Sequence, residues 1–158
     1  MKKLLVLGVG NILLMDEGVG VHAIQALQKE EWPENVHMVD GGTFTQDIFH
    51  VLEGYDGLLV LDIVHADKEP GSVYIFDEDD LVKNDSQRLS LHDIDLLDSL
   101  EMAEAVGKRP RMRVIGMEPK SYTEWSLELT PEVQKTFPHF LDVARKEVNR
   151  FLEEFKED

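Results

Sequence analysis

LLVLGVGNILLMDEGVG, residues 4–20, opens the chain with an apolar run that breaks into glycines and then meets two acids. The run Leu4–Val9 is short, continuous and apolar, the pattern of a parallel strand buried on both faces. A helix is expected behind it, capped by Asp16 and running to about Glu30, with Val21, Ile24 and Leu27 on one buried face. Strand, glycine turn and helix make the first step of an α/β unit. Such a turn often cradles a phosphate on backbone N–H groups. Here Asp16 and Glu17 stand where an anion would want N–H groups and a lysine. Gly8 and Gly10 lack the third glycine of a dinucleotide fingerprint, and Asp40, the one acid at a second-strand end, runs straight into Gly41-Gly42. The turn is therefore read as presenting carboxylates.

Outward from that stretch, strands and helices largely alternate. Trp32-Pro33 ends the first helix, and Val36–Val39 reads as a second strand stopped by Asp40-Gly41-Gly42. A short helix is expected over Gln46–Leu52, then the most apolar strand of the chain, Leu58–Val64, and a fourth over Ser72–Phe76 after the Pro70-Gly71 turn. Asp77–Leu89 is polar and acidic and reads as a surface loop. Ser90-Leu91-His92-Asp93 has the form of a capping box, with Leu97 and Leu100 buried behind it. Met112–Met117 is a fifth strand, and Glu118–Leu129 a loop. Thr130-Pro131-Glu132 supplies a cap, a first-position proline and a first-turn acid. Phe137, Leu141, Ala144, Val148, Phe151 and Phe155 then keep helical rhythm, with a bend expected at Pro138. The fold class is α/β: one domain over residues 1–158, with a mostly parallel five-stranded sheet and helices on both faces, a three-layer α/β/α arrangement.

Composition narrows the function. Apolar residues make up 42% of 158, enough for one core, and no run of 18 apolar residues offers a membrane span. A net charge of −16 argues against nucleic acid and against an anionic membrane surface as partners. Cysteine is absent, which removes disulfides, thiolate metal sites and a thiol nucleophile. No Gly-x-Ser-x-Gly elbow, His-Glu-x-x-His or Walker lysine motif occurs. With no export signal read in MKKLLVLGVG, a cytoplasmic location is expected, and a monomer.

In an open α/β sheet, ligands bind beyond the carboxyl ends of the strands where strand order reverses, here between the first and third. Glu17 comes to that crevice from the first loop. Asp62 comes from within LLVLDIV, where an ionised carboxylate is costly unless it is paired or meets a cation. Of the six histidines, His92 lies in the first turn of its helix, where the dipole favours a neutral, ligating imidazole. His65, three residues past Asp62, can also reach the mouth, whereas His22, His37, His50 and His139 read as surface or packing residues. Glu17, Asp62 and His92 make an O,O,N set with open positions, suited to nickel, zinc or cobalt. A receiver-like phosphoacceptor domain is the alternative, with Asp16, Glu17, Asp62 and Lys120 around magnesium. A non-catalytic metal-binding chaperone of the same fold is another.

The ordered set GVGNILLMDEGVG, DGGT (Asp40–Thr43), LDIV around Asp62, SLHDIDL around His92, GMEP (Gly116–Pro119) and LTPEV (Leu129–Val133) closely resembles the nickel–iron hydrogenase maturation endopeptidases. The resemblance runs over almost the whole chain. It implies a twisted five-stranded sheet between helices. It also implies an enzyme that removes a C-terminal peptide from the hydrogenase large-subunit precursor once nickel is inserted. Glu17, Asp62 and His92 are then the metal-contacting residues. The nickel belongs to the substrate and signals recognition, so no permanent cofactor is expected. Phe44-Thr45 and Glu128 depart from glycines common in the family; the first, on a cleft loop, bears on substrate selectivity more than on catalysis.

Overall fold

Two runs with no polar interruption before their last residues form the middle of the sheet. In a computed structural model of the chain, which describes residues 1–42, 52–83, 101, 104, 105, 107 and 109–157, β1 (Leu4–Val9) and β3 (Gly57–Ile63) are buried at every position. β2 (Val36–Gly42), β5 (Arg111–Met117) and β4 (Val73–Asp77) complete one sheet in the order β2-β1-β3-β5-β4. The pairings β1–β2, β1–β3 and β3–β5 are parallel, and β4–β5 is antiparallel. The mostly parallel five-stranded sheet is thus as expected.

The order itself decides against the receiver-like reading. That fold runs 2-1-3-4-5. Here β5 occupies the place beside β3, and β4 turns back along its outer edge. β1 still lies between β2 and β3, so the chain leaves β1 to one side and returns on the other. The crevice at the carboxyl ends of β1 and β3 follows from that reversal.

Alternate side chains of the inner strands feed two cores. On one face Leu4, Val6, Leu59, Leu61, Ile115 and Met117 meet α1 (Val19–Leu27) and α3 (Pro131–Glu157). On the other, Leu5, Leu7, Leu58, Val60, Met112 and Val114 pack with Leu52, Tyr55, Tyr74 and Phe76. Each fully buried Leu or Val contributes roughly 1.5–3 kcal/mol relative to exposure. The expected helices over Gln46–Leu52 and behind Ser90 lie, apart from Leu52 and a few positions past Leu100, outside the described residues.

Three local expectations change. Residues 15–18 form a 3₁₀ turn ahead of α1, and α1 itself ends at Leu27, whose carbonyl accepts from Trp32 Nε1 at 2.8 Å. The acidic stretch read as a loop begins with a short helix, α2 (Glu78–Lys83). It starts with a reciprocal cap: the Asp80 N–H donates to Asp77 Oδ1 at 3.0 Å and the Asp77 N–H to Asp80 Oδ2 at 3.1 Å. That hydrogen bond from the Asp80 N–H holds the Asp77 carboxyl below the usual range. α3 is one long helix through Pro138, as expected, but the fully buried phenylalanine of its first half is Phe140, and Phe137 and Leu141 of the expected apolar rhythm are only half-buried.

One buried ion cluster ties α3 to β5. Arg113 donates to Glu154 Oε2 at 2.6 Å, lies 3.6 Å from Glu147 and covers the Phe151 ring at 4.2 Å from its centroid. Arg113 and Glu147 are each under a tenth exposed, so either charge alone would be strongly destabilising there. The cluster sits at the amino-end half of β5, away from the crevice.

Candidate active site

Gly10, at the end of β1, shows what the glycine-rich turn does. A Cβ there would lie 1.9 Å from the Glu17 carbonyl oxygen and 3.7 Å from Asp62 Oδ1, and its φ is +131°. Only a residue without a side chain lets the Glu17 backbone fold back onto β1 in front of Asp62. Gly20 does the same one turn later: its Cβ would meet Leu61 O at 2.0 Å and Val9 O at 2.7 Å. The start of α1 therefore rests on the ends of β1 and β3. These glycines serve close packing, not phosphate binding.

Asp62 is fully buried, at the end of a strand that is apolar on either side of it. Its Oδ1 accepts from the Ile63 N–H at 2.7 Å, which fixes the carboxylate at the strand terminus. Glu17 is half-buried on the 3₁₀ turn that Gly10 admits. The first loop and the third strand, predicted to face each other, do meet at Gly10. His92, the third residue of the proposed set, lies outside the described residues, as does His50.

Asp16 is not the cap of α1. The residue at that cap is Gly18, and no side chain bonds there. The Asp16 carboxylate is fully buried and reaches across the chain. Oδ2 accepts from the N–H groups of Lys120 (2.8 Å) and Ser121 (3.0 Å) and from the Thr130 hydroxyl (2.8 Å). Oδ1 accepts from the Thr130 N–H at 2.8 Å. A carboxylate removed from water must be met by donors. The loop between β5 and α3 supplies them, so Asp16 fastens that loop, and the start of α3, to the first motif.

Glu118 of GMEP is a second such fastening, one that the sequence reading passed over. It is 5% exposed, and its Oε1 accepts from the Ala66 N–H (2.9 Å), the Lys68 N–H (3.1 Å) and the Tyr74 hydroxyl (2.8 Å). It shapes the loop that follows Asp62. The signal available was an acid directly after an apolar strand, the same anomaly that singled out Asp62. His65, on that loop, packs edge-on against Tyr122, with ring centroids 5.1 Å apart. His37 is a packing residue, as expected: its Nδ1 is 2.7 Å from the Tyr55 hydroxyl. Asp40 Oδ1 accepts from the Gly42 N–H at 2.9 Å, an internal turn that ends β2.

Comparison with known proteins gives the family and the fold. The family model described as "HycI: Hydrogenase maturation protease" matches residues 21–147. The hydrogenase expression/formation protein HupD of Rhizobium leguminosarum bv. viciae is 34% identical over 145 residues, 90% of this chain and 72% of that protein. The hydrogenase 2 maturation protease of Escherichia coli (strain K12) is 33% identical over 135 residues, 84% of this chain and 82% of that one. The solved structure of the hydrogenase maturating endopeptidase HybD from E. coli superposes with a TM-score of 0.82 at 30% identity, covering 94% of this chain and 93% of that chain.

Proposed function

Because this chain belongs to the hydrogenase maturation protease family and is a peptidase, we propose that it removes the C-terminal extension of a nickel–iron hydrogenase large-subunit precursor after nickel insertion. Glu17, Asp62 and His92 contact the nickel that the precursor carries. The observation that carries this reading is the placement of Asp62: a fully buried carboxylate at the end of β3, 3.7 Å from where a Gly10 side chain would begin. A cation brought to that point meets the Asp62 carboxylate, which the Ile63 N–H already holds. Three protein groups leave further positions for the donors that already hold the metal in the substrate.

The chemistry is peptide hydrolysis. Water adds to the scissile carbonyl carbon, the C–N bond breaks, and the departing amine takes a proton. Nickel in the substrate and carboxylates in the enzyme bring the scissile bond to one place. Orientation of that kind accounts for a large share of a hydrolytic rate. The metal is cargo of the substrate, and the enzyme carries no resident cofactor.

Intact-mass measurement of a purified nickel-loaded precursor incubated with this protein tests the reading. A single truncation that releases one C-terminal peptide is expected. A precursor that is bound but keeps its full mass would instead make the protein a chaperone.

A further inference from the structure

Among the described residues, seven large apolar side chains are exposed; Met1, Val39 and Ile75 stand apart, and the other four lie together. Leu13 (49% exposed), Tyr122 (41%), Trp125 (74%) and Leu127 (59%) fall on just two loops. Those loops are joined. Leu14 and Ser126 form a parallel bridge, the Met15 N–H donates to Ser126 O at 3.0 Å, and the Ser126 N–H to Leu13 O at 2.7 Å. The buried Asp16 carboxylate fastens the same two loops from beneath through Lys120, Ser121 and Thr130. The apolar groups are thus held on a fixed platform, and aromatic residues on such platforms are the usual anchors of protein contacts.

The platform shares its loops with the carboxylate residues. Leu13 precedes Glu17 by four residues on the turn that Gly10 admits. At the other side, Tyr122 packs on His65, three residues beyond Asp62. Its rim carries the exposed acids Glu124 and Glu128 against one exposed lysine, Lys120. A second copy of this chain, at net charge −16, would bring the same acids against them. An apolar segment flanked by basic residues complements the surface better.

We propose that this platform docks an apolar, basic-flanked segment of the precursor polypeptide beside its metal, so that the substrate is read at two points. The proposal rests on the assignment of the crevice to the precursor's nickel. Docking through the platform does not require the metal, and that separates the two claims. The test is the double substitution Trp125→Ser with Leu127→Ser, both at exposed positions whose loss leaves the core intact. Against the nickel-loaded large-subunit precursor encoded in the same genome, KM is expected to rise about tenfold or more while kcat stays within about twofold, as removal of two central anchors implies. Titration of the nickel-free precursor is expected to show the same weakening in Kd. Unchanged KM and Kd would overturn the platform while leaving the crevice assignment intact. Sedimentation showing that the double substitution abolishes a dimer of the parent protein would overturn it as well. A precursor that binds through the platform yet is never cleaved would sustain the docking and defeat the crevice assignment.

Discussion

Asp62→Asn is expected to lower cleavage of the nickel-loaded precursor by at least about 100-fold, since it replaces an anionic oxygen donor with a neutral amide at the point where the substrate's metal arrives. The fold should be little affected. Asparagine has the shape of aspartate, and its Oδ1 still accepts from the Ile63 N–H that now bonds Asp62 at 2.7 Å. Initial rates measured beside thermal unfolding would therefore show a large loss of activity with a small change in Tm. Glu17→Gln and His92→Ala should follow the same pattern. Full activity in all three variants would remove the site assignment.

Asp16→Asn should behave in the opposite way, although the two aspartates are both fully buried. Every polar group around the Asp16 carboxylate is a donor: three N–H groups and one hydroxyl. An asparagine that places its NH₂ group at the Oδ1 position leaves the Thr130 N–H unmet and turns the bonds to its remaining oxygen from charge-assisted to neutral. Each buried donor without a partner costs about 1–3 kcal/mol. The expected loss is on the order of 2–4 kcal/mol, a large part of the roughly 5–15 kcal/mol that holds such a domain together. Tm should fall by about 10 °C, at roughly 2–4 °C per kcal/mol for a chain of this size. Circular dichroism melting checks it, and a Tm within 2–3 °C of the parent's would mean that these bonds are replaced by water at little cost.

How much of this was legible in the sequence depends on the range of the interaction. β1 and β3 were readable because burial on both faces leaves an unbroken apolar run, and α3 because one side of it repeats every three or four residues. The crevice was readable for the same reason in reverse: Asp62 breaks a run that has no other polar residue. The helix over Glu78–Lys83 was missed because it has no long apolar face, although Asp77 and Asp80 stand at the spacing of a reciprocal cap. The role of Asp16 could not be read locally. A carboxylate before a helix looks like its cap, and only the folded chain brings Thr130, 114 residues away, into bonding distance. The place of β5 beside β3 likewise depends on a crossover that leaves no local pattern.

The central claim is that the carboxylate crevice meets a metal borne by the substrate. The most direct measurement is cleavage of one large-subunit precursor prepared in two forms, nickel-loaded and nickel-free, by the same metal-stripped enzyme, followed by intact mass. The account predicts truncation of the loaded form alone. Equal cleavage of both forms would contradict it.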